Sequence, residues 1–224
     1  MIDFNIQYFG GRGAGSDGPS LSGGGGGSVD IQEQTDVWSY RHNSKNEEFV
    51  DAINNGMKTL DDDFPGLMRN TVTSVNAGKF GGSDAYGTLG VYSEGDRSIT
   101  INQRYTDVGR MNAIYDKAGD YHPSRGNKSA VEAVALHEGG HALTEHVAKK
   151  MGTNFEDASK KIVNDAYKAS GGKGGTKAWA GKISKYAQQN YAECIAEGVA
   201  DYYCNGKAAK QASKAIVSQL KKYN

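Results

Sequence analysis

The chain shows no excess of either charge: 26 lysines and arginines are balanced by 26 aspartates and glutamates over 224 residues. That balance excludes the basic surface with which nucleic-acid binders neutralise phosphates. Long apolar runs are missing as well. No stretch approaches the roughly 20 apolar residues that span a bilayer, so no membrane role is expected. The opening "MIDFNIQYFGGRG" has neither the basic start nor the unbroken apolar stretch of a secretory signal. A cytoplasmic setting is the expectation. Cysteine is scarce, limited to Cys194 and Cys204. Ten residues apart on one helix, they would sit about 15 Å apart along its axis. That is beyond disulfide reach, and both read as buried small apolar residues.

What is plentiful is glycine, at 31 residues, many of them before residue 28. "GGRGAGSDGPSLSGGGGGS" cannot bury a core, so residues 1–28 read as a flexible segment. Within it, "IDFNIQYF" alternates well enough for a short strand or docking peptide. Residues 29–224 are expected to form one domain, with an apolar content of 37% adequate for its core.

Along that domain, Phe49, Val50, Ile53, Met57 and Leu60 share one helical face, stopped by Pro65 and Gly66. "TVTSV" at 71–75 reads as a strand. "AYGTLGVY" and "RSITINQRY" flank "SEGD", a hairpin signal. Residues 105–128 read as irregular, with "HPSRGN" a loop. Helices then dominate. Ser129 and Glu132 form a capping box before "AVALHEGGHALTEHVAKK". Asn154 caps a helix carrying Phe155, Ala158, Ile162 and Ala166. "SGGKGGTK" is a connector, since it lacks phosphate-loop spacing. "AWAGKISKYAQQ" and "NYAECIAEGVADYYC" read as helical, with Gly206 as a stop. A last amphipathic helix carries Ile216 and Leu220. Helix, small sheet, then helices is an α+β order.

"HEGGH" at 137–141 carries the chemistry. Residues four apart share a helical face, so His137 and His141 present two imidazoles to one point, as a tetrahedral zinc requires. Glu138 lies about 100° further round, where it can reach a zinc-bound water without ligating the metal. Gly139 and Gly140 each weaken a helix by about 1 kcal/mol relative to alanine. Two in succession imply close approach of another backbone or a ligand.

The third ligand is not in the same helix at metzincin spacing. Thr144 and Val147 stand where that pattern needs glycine and histidine. His146 is about 140° off the face of His141 and reads as a surface residue or a support to the site. "NYAECIAEGVAD" offers Glu193, Glu197 and Asp201 at four-residue steps among small and apolar neighbours. Buried carboxylates need a partner, and a zinc ion with two histidines would be one.

At this point the chain resembles the anthrax lethal factor-like gluzincins. Their HExxH is followed by a helix whose ligand glutamate has an asparagine three before, an acid four after and a tyrosine seven before. "YAQQNYAECIAE" has Asn190, Glu197 and Tyr186 at those distances from Glu193. The resemblance covers about residues 125–205. Thermolysin's third-ligand pattern matches less well, since Ala192 precedes Glu193 where that pattern has asparagine.

The resemblance implies a zincin-like metallopeptidase domain with Zn2+ on His137, His141 and Glu193 and a fourth position for water. Glu138 would act as general base and Tyr186 as oxyanion donor, with Glu197 orienting a ligand histidine and Asn190 supporting Glu193. The implied partner is a protein or peptide substrate, bound as an extra strand with "RSITINQRY" as the expected edge. The N-terminal "FNIQYFGGRGAGS" resembles segments of phage head proteins, which adds a virion-associated setting to the cytoplasmic one. Two other readings accompany the peptidase: a zinc-fold binding protein without turnover, and a protein that processes its own glycine-rich segment.

Overall fold

A computed structural model of the chain describes residues 46–81 and 87–224. The expected flexible segment 1–28, the expected docking peptide within it, the expected domain start at residue 29 and part of "AYGTLGVY" lie outside the described residues.

Helix α1 (Glu47–Asp63) and the short α2 (Leu67–Thr71) precede three strands, β1 (Ser74–Gly78), β2 (Gly90–Ser93) and β3 (Ser98–Asn102). Six helices follow: α3 (Val108–Lys117), α4 (Ala130–Lys150), α5 (Phe155–Ala169), α6 (Thr176–Ala180), α7 (Tyr191–Asn205) and α8 (Gln211–Tyr223). The fold is α+β and mostly helical. No described helix is long and apolar enough to cross a membrane.

The first helix forms as its periodicity predicts. Asn46 Oδ1 accepts the Phe49 amide at 3.3 Å, and Phe49, Val50, Ile53, Met57 and Leu60 are all buried. The first strand begins later than expected. Thr71 closes α2, whose Leu67, Met68 and Thr71 form a small buried face, and β1 runs over 74–78. The hairpin is present, with Ser93 opposite Ser98 in antiparallel register.

The expectation that "RSITINQRY" supplies a sheet edge fails. Strand β1 pairs with β3 in parallel, Ser74 opposite Ser98, so among the described residues the order is β1-β3-β2 and β3 is central. All five of its residues are buried. Ser98, Thr100 and Asn102 look like a solvent-facing row, but Asn102 uses its polar groups internally. Its Nδ2 donates to Thr88 O at 2.7 Å and its backbone amide to Leu89 O at 2.8 Å.

Two helical readings also need correction. Residues 105–128 contain α3, capped by Asp107 Oδ1 on the Arg110 amide at 2.8 Å, with Val108, Met111 and Tyr115 buried. Three buried residues on a ten-residue helix are too few to show in a periodicity scan. In "AWAGKISKYAQQ" the helix stops at Ala180 and resumes only as a 3-10 turn at Tyr186–Gln188. Ser184 Oγ accepts the Ala187 amide at 3.0 Å, a local bond that competes with helix continuation.

Helix α4 is the axis of the domain. Every residue from Ala130 to Ala148 is buried, as expected of a helix apolar on most of its circumference. Ser129 Oγ caps it at the Glu132 amide, 3.1 Å. Helix α1, α7 and the sheet all pack against it. Its two internal glycines sit at the closest approaches. A Cβ at Gly139 would lie 2.2 Å from Leu60 Cδ1, and one at Gly140 would lie 2.9 Å from Ala196 Cα on α7. The second is a backbone contact, so only a shift of one whole helix could relieve it.

Substituting Gly140→Ala is expected to destabilise the fold by about 1–3 kcal/mol, although alanine favours helix by about 1 kcal/mol over glycine. Urea denaturation measures this, and an unchanged or higher midpoint would show that α4 and α7 do not pack this closely.

Candidate metal centre

One turn of α4 separates His137 from His141, and both point toward the first turn of α7. There Asn190 caps the helix, its Oδ1 accepting the Glu193 amide at 2.8 Å. The cap fixes the backbone at the residue whose carboxylate faces the histidines. His137 Nε2 lies 3.2 Å and His141 Nε2 3.5 Å from Glu193 Oε2. The three donor atoms lie within 4.8 Å of one another and all three residues are buried.

A metal ion fits these residues on two grounds. An ion with tetrahedral bonds of about 2.0–2.1 Å holds neighbouring ligand atoms about 3.3–3.4 Å apart, and the observed separations of 3.2 and 3.5 Å bracket that value. In addition, His141 Nε2 and Glu193 Oε2 are buried yet make no hydrogen bond. They are near each other, but at the wrong angle to share a proton. Two imidazole nitrogens and one carboxylate oxygen form a three-ligand set that leaves a position open.

Electrostatics point the same way. Burial disfavours charge on His137, yet the carboxylates of Glu193 and Glu197 outweigh it and push its pKa up to about 10. Burial likewise opposes ionisation of Glu193, but His141 and His137 hold its pKa well below the usual carboxylate range. The cluster therefore demands positive charge at this point, which a proton or a divalent cation can supply.

Glu138 projects from the same helix toward β2 and is fully buried. A Cβ at Gly90 would lie 2.9 Å from Glu138 Oε1, so that glycine lets the strand backbone lie beside the carboxylate. Burial raises the Glu138 pKa to about 7, with His137 and His141 pulling the other way.

Glu197 sits one turn further along α7 and reaches behind the ligands. Its Oε1 lies 2.9 Å from His137 Nδ1 and 3.3 Å from His122 Nδ1, while its Oε2 accepts Ser184 Oγ at 2.6 Å. Burial would raise its pKa, but His122 and His137 hold it down at about 2. Tyr186, in the turn before α7, places its ring 6.1 Å from that of His137. Burial and the charges of Glu193, Glu138 and Glu197 raise its pKa, so the phenol keeps its proton.

The structure thus brings together His137, Glu138, His141, Tyr186, Asn190, Glu193 and Glu197. It excludes two others. His146 is neither at the surface nor at the site: it is buried, 3.1 Å from Thr71 Oγ1 and 3.1 Å from Asn224 Oδ1. Asp201 shares the face of Glu193 and Glu197 but binds the Asn205 amide group at 2.9 Å and the Lys210 backbone amide at 2.7 Å, joining α7 to α8. Two residues were not anticipated, His122 and Ser184. His122 lies in the "HPSRGN" loop, and only tertiary structure brings it to Glu197.

No family model matches the chain, and no curated protein matches it. The chemistry is therefore carried by the arrangement of the residues themselves.

Elemental analysis after reconstitution with a divalent metal is expected to find one ion per chain. Glu193→Ala should abolish uptake, whereas His146→Ala should leave it intact. Uptake that survives Glu193→Ala would rule out α7 as the source of the third ligand.

Proposed function

We propose that this chain is a zinc-dependent endopeptidase of the gluzincin type, on a zincin-like domain resembling the lethal factor-like group. The observation that carries the proposal is the convergence of His137, His141 and Glu193 on one buried point with Glu138 beside it. A site meant only to hold a structural ion would close with a fourth protein ligand. Here the residue next to the three donors is a carboxylate suited to moving protons.

Zinc, when bound, supplies Lewis acidity, making water more acidic and a carbonyl more electrophilic. The side chains do the rest. Glu138, with a pKa near 7, takes the proton of the attacking water and passes it to the leaving amine. Tyr186 donates a hydrogen bond to the oxygen that gains charge as the carbonyl becomes tetrahedral. Glu197 lies 2.9 Å from the far nitrogen of His137, where its charge favours the tautomer that turns Nε2 toward Glu193.

The substrate is a protein or peptide in extended form. With β3 central, the strand that borders the site is β2, an edge among the described residues. Gly90 on β2 lies against Glu138, so a peptide paired with this strand passes the general base. A phage-encoded or toxin-like effector acting in the cytoplasm or from a virion suits such a domain.

Mass spectrometry of a peptide library incubated with the zinc-loaded protein tests this. Glu138→Gln should keep its zinc and lose cleavage by about 100- to 10,000-fold. Tyr186→Phe should lower kcat by about 100- to 1,000-fold with little change in KM. Zinc uptake with no peptide cut would favour a binding protein. Shortening of the chain's own N-terminus alone, abolished by Glu138→Gln, would favour self-processing.

A further inference from the structure

His122 comes from the loop between α3 and α4 and stands 75 residues from Glu197 on α7. It is buried, with its side chain fully enclosed. Three tyrosines hold the ring. Tyr115 stacks on it at 5.3 Å between centroids, and Tyr121 and Tyr186 meet it edge-on at 5.0 and 5.6 Å. The loop itself is tied down, since Tyr115 Oη donates to Pro123 O at 3.0 Å. One edge of the ring thus touches Glu197, and another touches the candidate oxyanion donor.

We propose that His122 is a positioning residue that couples Glu197 to Tyr186, and through Glu197 sets the tautomer of the ligand His137. The proposal rests on the zinc-site reading above. Glu197 Oε1 is shared between two imidazoles, each approaching through Nδ1, at 2.9 Å for His137 and 3.3 Å for His122. An ionised carboxylate only accepts hydrogen bonds, so the His122 Nδ1 that bonds it carries the proton, and the 2.9 Å approach favours a proton on His137 Nδ1 as well. With a metal bound, that leaves His137 Nε2 as the lone-pair nitrogen on the side of Glu193. Ser184 occupies Oε2, so the carboxylate is held from both ends. Without His122, Oε1 loses one of its two anchors and the carboxylate can rotate away from His137. The ring does a second job by filling the space behind Tyr186. A residue with only one of these properties would support half of the site.

Two substitutions separate the two jobs. His122→Phe keeps the ring against the tyrosines and removes the Nδ1 donor. His122→Asn places an amide donor where Nδ1 stood and removes the ring. The zinc dissociation constant, measured by competition with a chelator using zinc alone, should rise about 10-fold in His122→Phe and return close to wild type in His122→Asn. The Tyr186-dependent kcat should fall in His122→Asn with KM little changed.

Nitrogen-15 NMR of the imidazoles in the zinc-loaded wild-type protein gives a check that needs no variant: His122 and His137 should both be protonated at Nδ1, and His137 should carry no proton at Nε2. Wild-type zinc affinity in His122→Phe overturns the proposal, as does a His122 protonated only at Nε2. If the wild-type chain takes up no zinc, the metal centre itself fails, a result distinguishable from a tight wild-type site that His122→Phe leaves unchanged.

Discussion

Helices α4 and α7 can share a metal ion only if their backbones come nearly into contact, and Gly140 is where they do. Its missing side chain leaves room for Ala196 Cα at a distance no Cβ could tolerate. Packed helices ordinarily lie 8–10 Å apart, according to the side chains between them, and small residues set the low end. Glu193 is a short reach from His137 and His141 for that reason. The Asn190 cap then fixes the turn on which Glu193 sits. On the other side of α4, Gly139 does the same for Leu60 of α1. The two glycines that weaken the helix in isolation are what allow the domain to close around it.

Within that enclosure, two carboxylates with equal burial are driven in opposite directions. Glu197 and Glu138 are both fully buried. Glu197 has two imidazoles and a hydroxyl against it and is held ionised, with a pKa of about 2. Among the described residues no side chain hydrogen-bonds to Glu138, and burial takes it to about 7. Desolvation is common to both, so the charge and hydrogen bonds of the imidazoles around Glu197 make the difference. The outcome is a contrast: one acid is held ionised against two imidazoles, and the other has a pKa near neutrality.

Much of this was legible in the sequence, because helix geometry is local. The four-residue step in "HEGGH" and the three-, four- and seven-residue steps around Glu193 survive folding unchanged. Gly139 and Gly140 announced close contacts by their cost alone. What was hidden depends on contacts between distant segments. His122 meets Glu197 across 75 residues, from a loop with no periodicity to read. The parallel pairing of β1 with β3 skips over β2, so a scan that sees only the hairpin puts β3 at the edge. His146 looked exposed because its partners, Thr71 and Asn224, stand 75 and 78 residues away in the chain. Helix α3 was missed through its polarity.

The burial of α4 from Ala130 to Ala148 has a dynamic consequence. A helix with neighbours on every side has no local way to open, so its amides should exchange with solvent only when the whole domain unfolds. His137, Glu138 and His141 therefore belong to the slowest-exchanging part of the molecule. The motions that admit and release a ligand must come from its borders. One border is the short strand β2 with the turn that follows it, and the other is the half-buried Tyr121 beside Tyr186. The chemistry is mounted on the rigid element, and mobility is left to its surroundings.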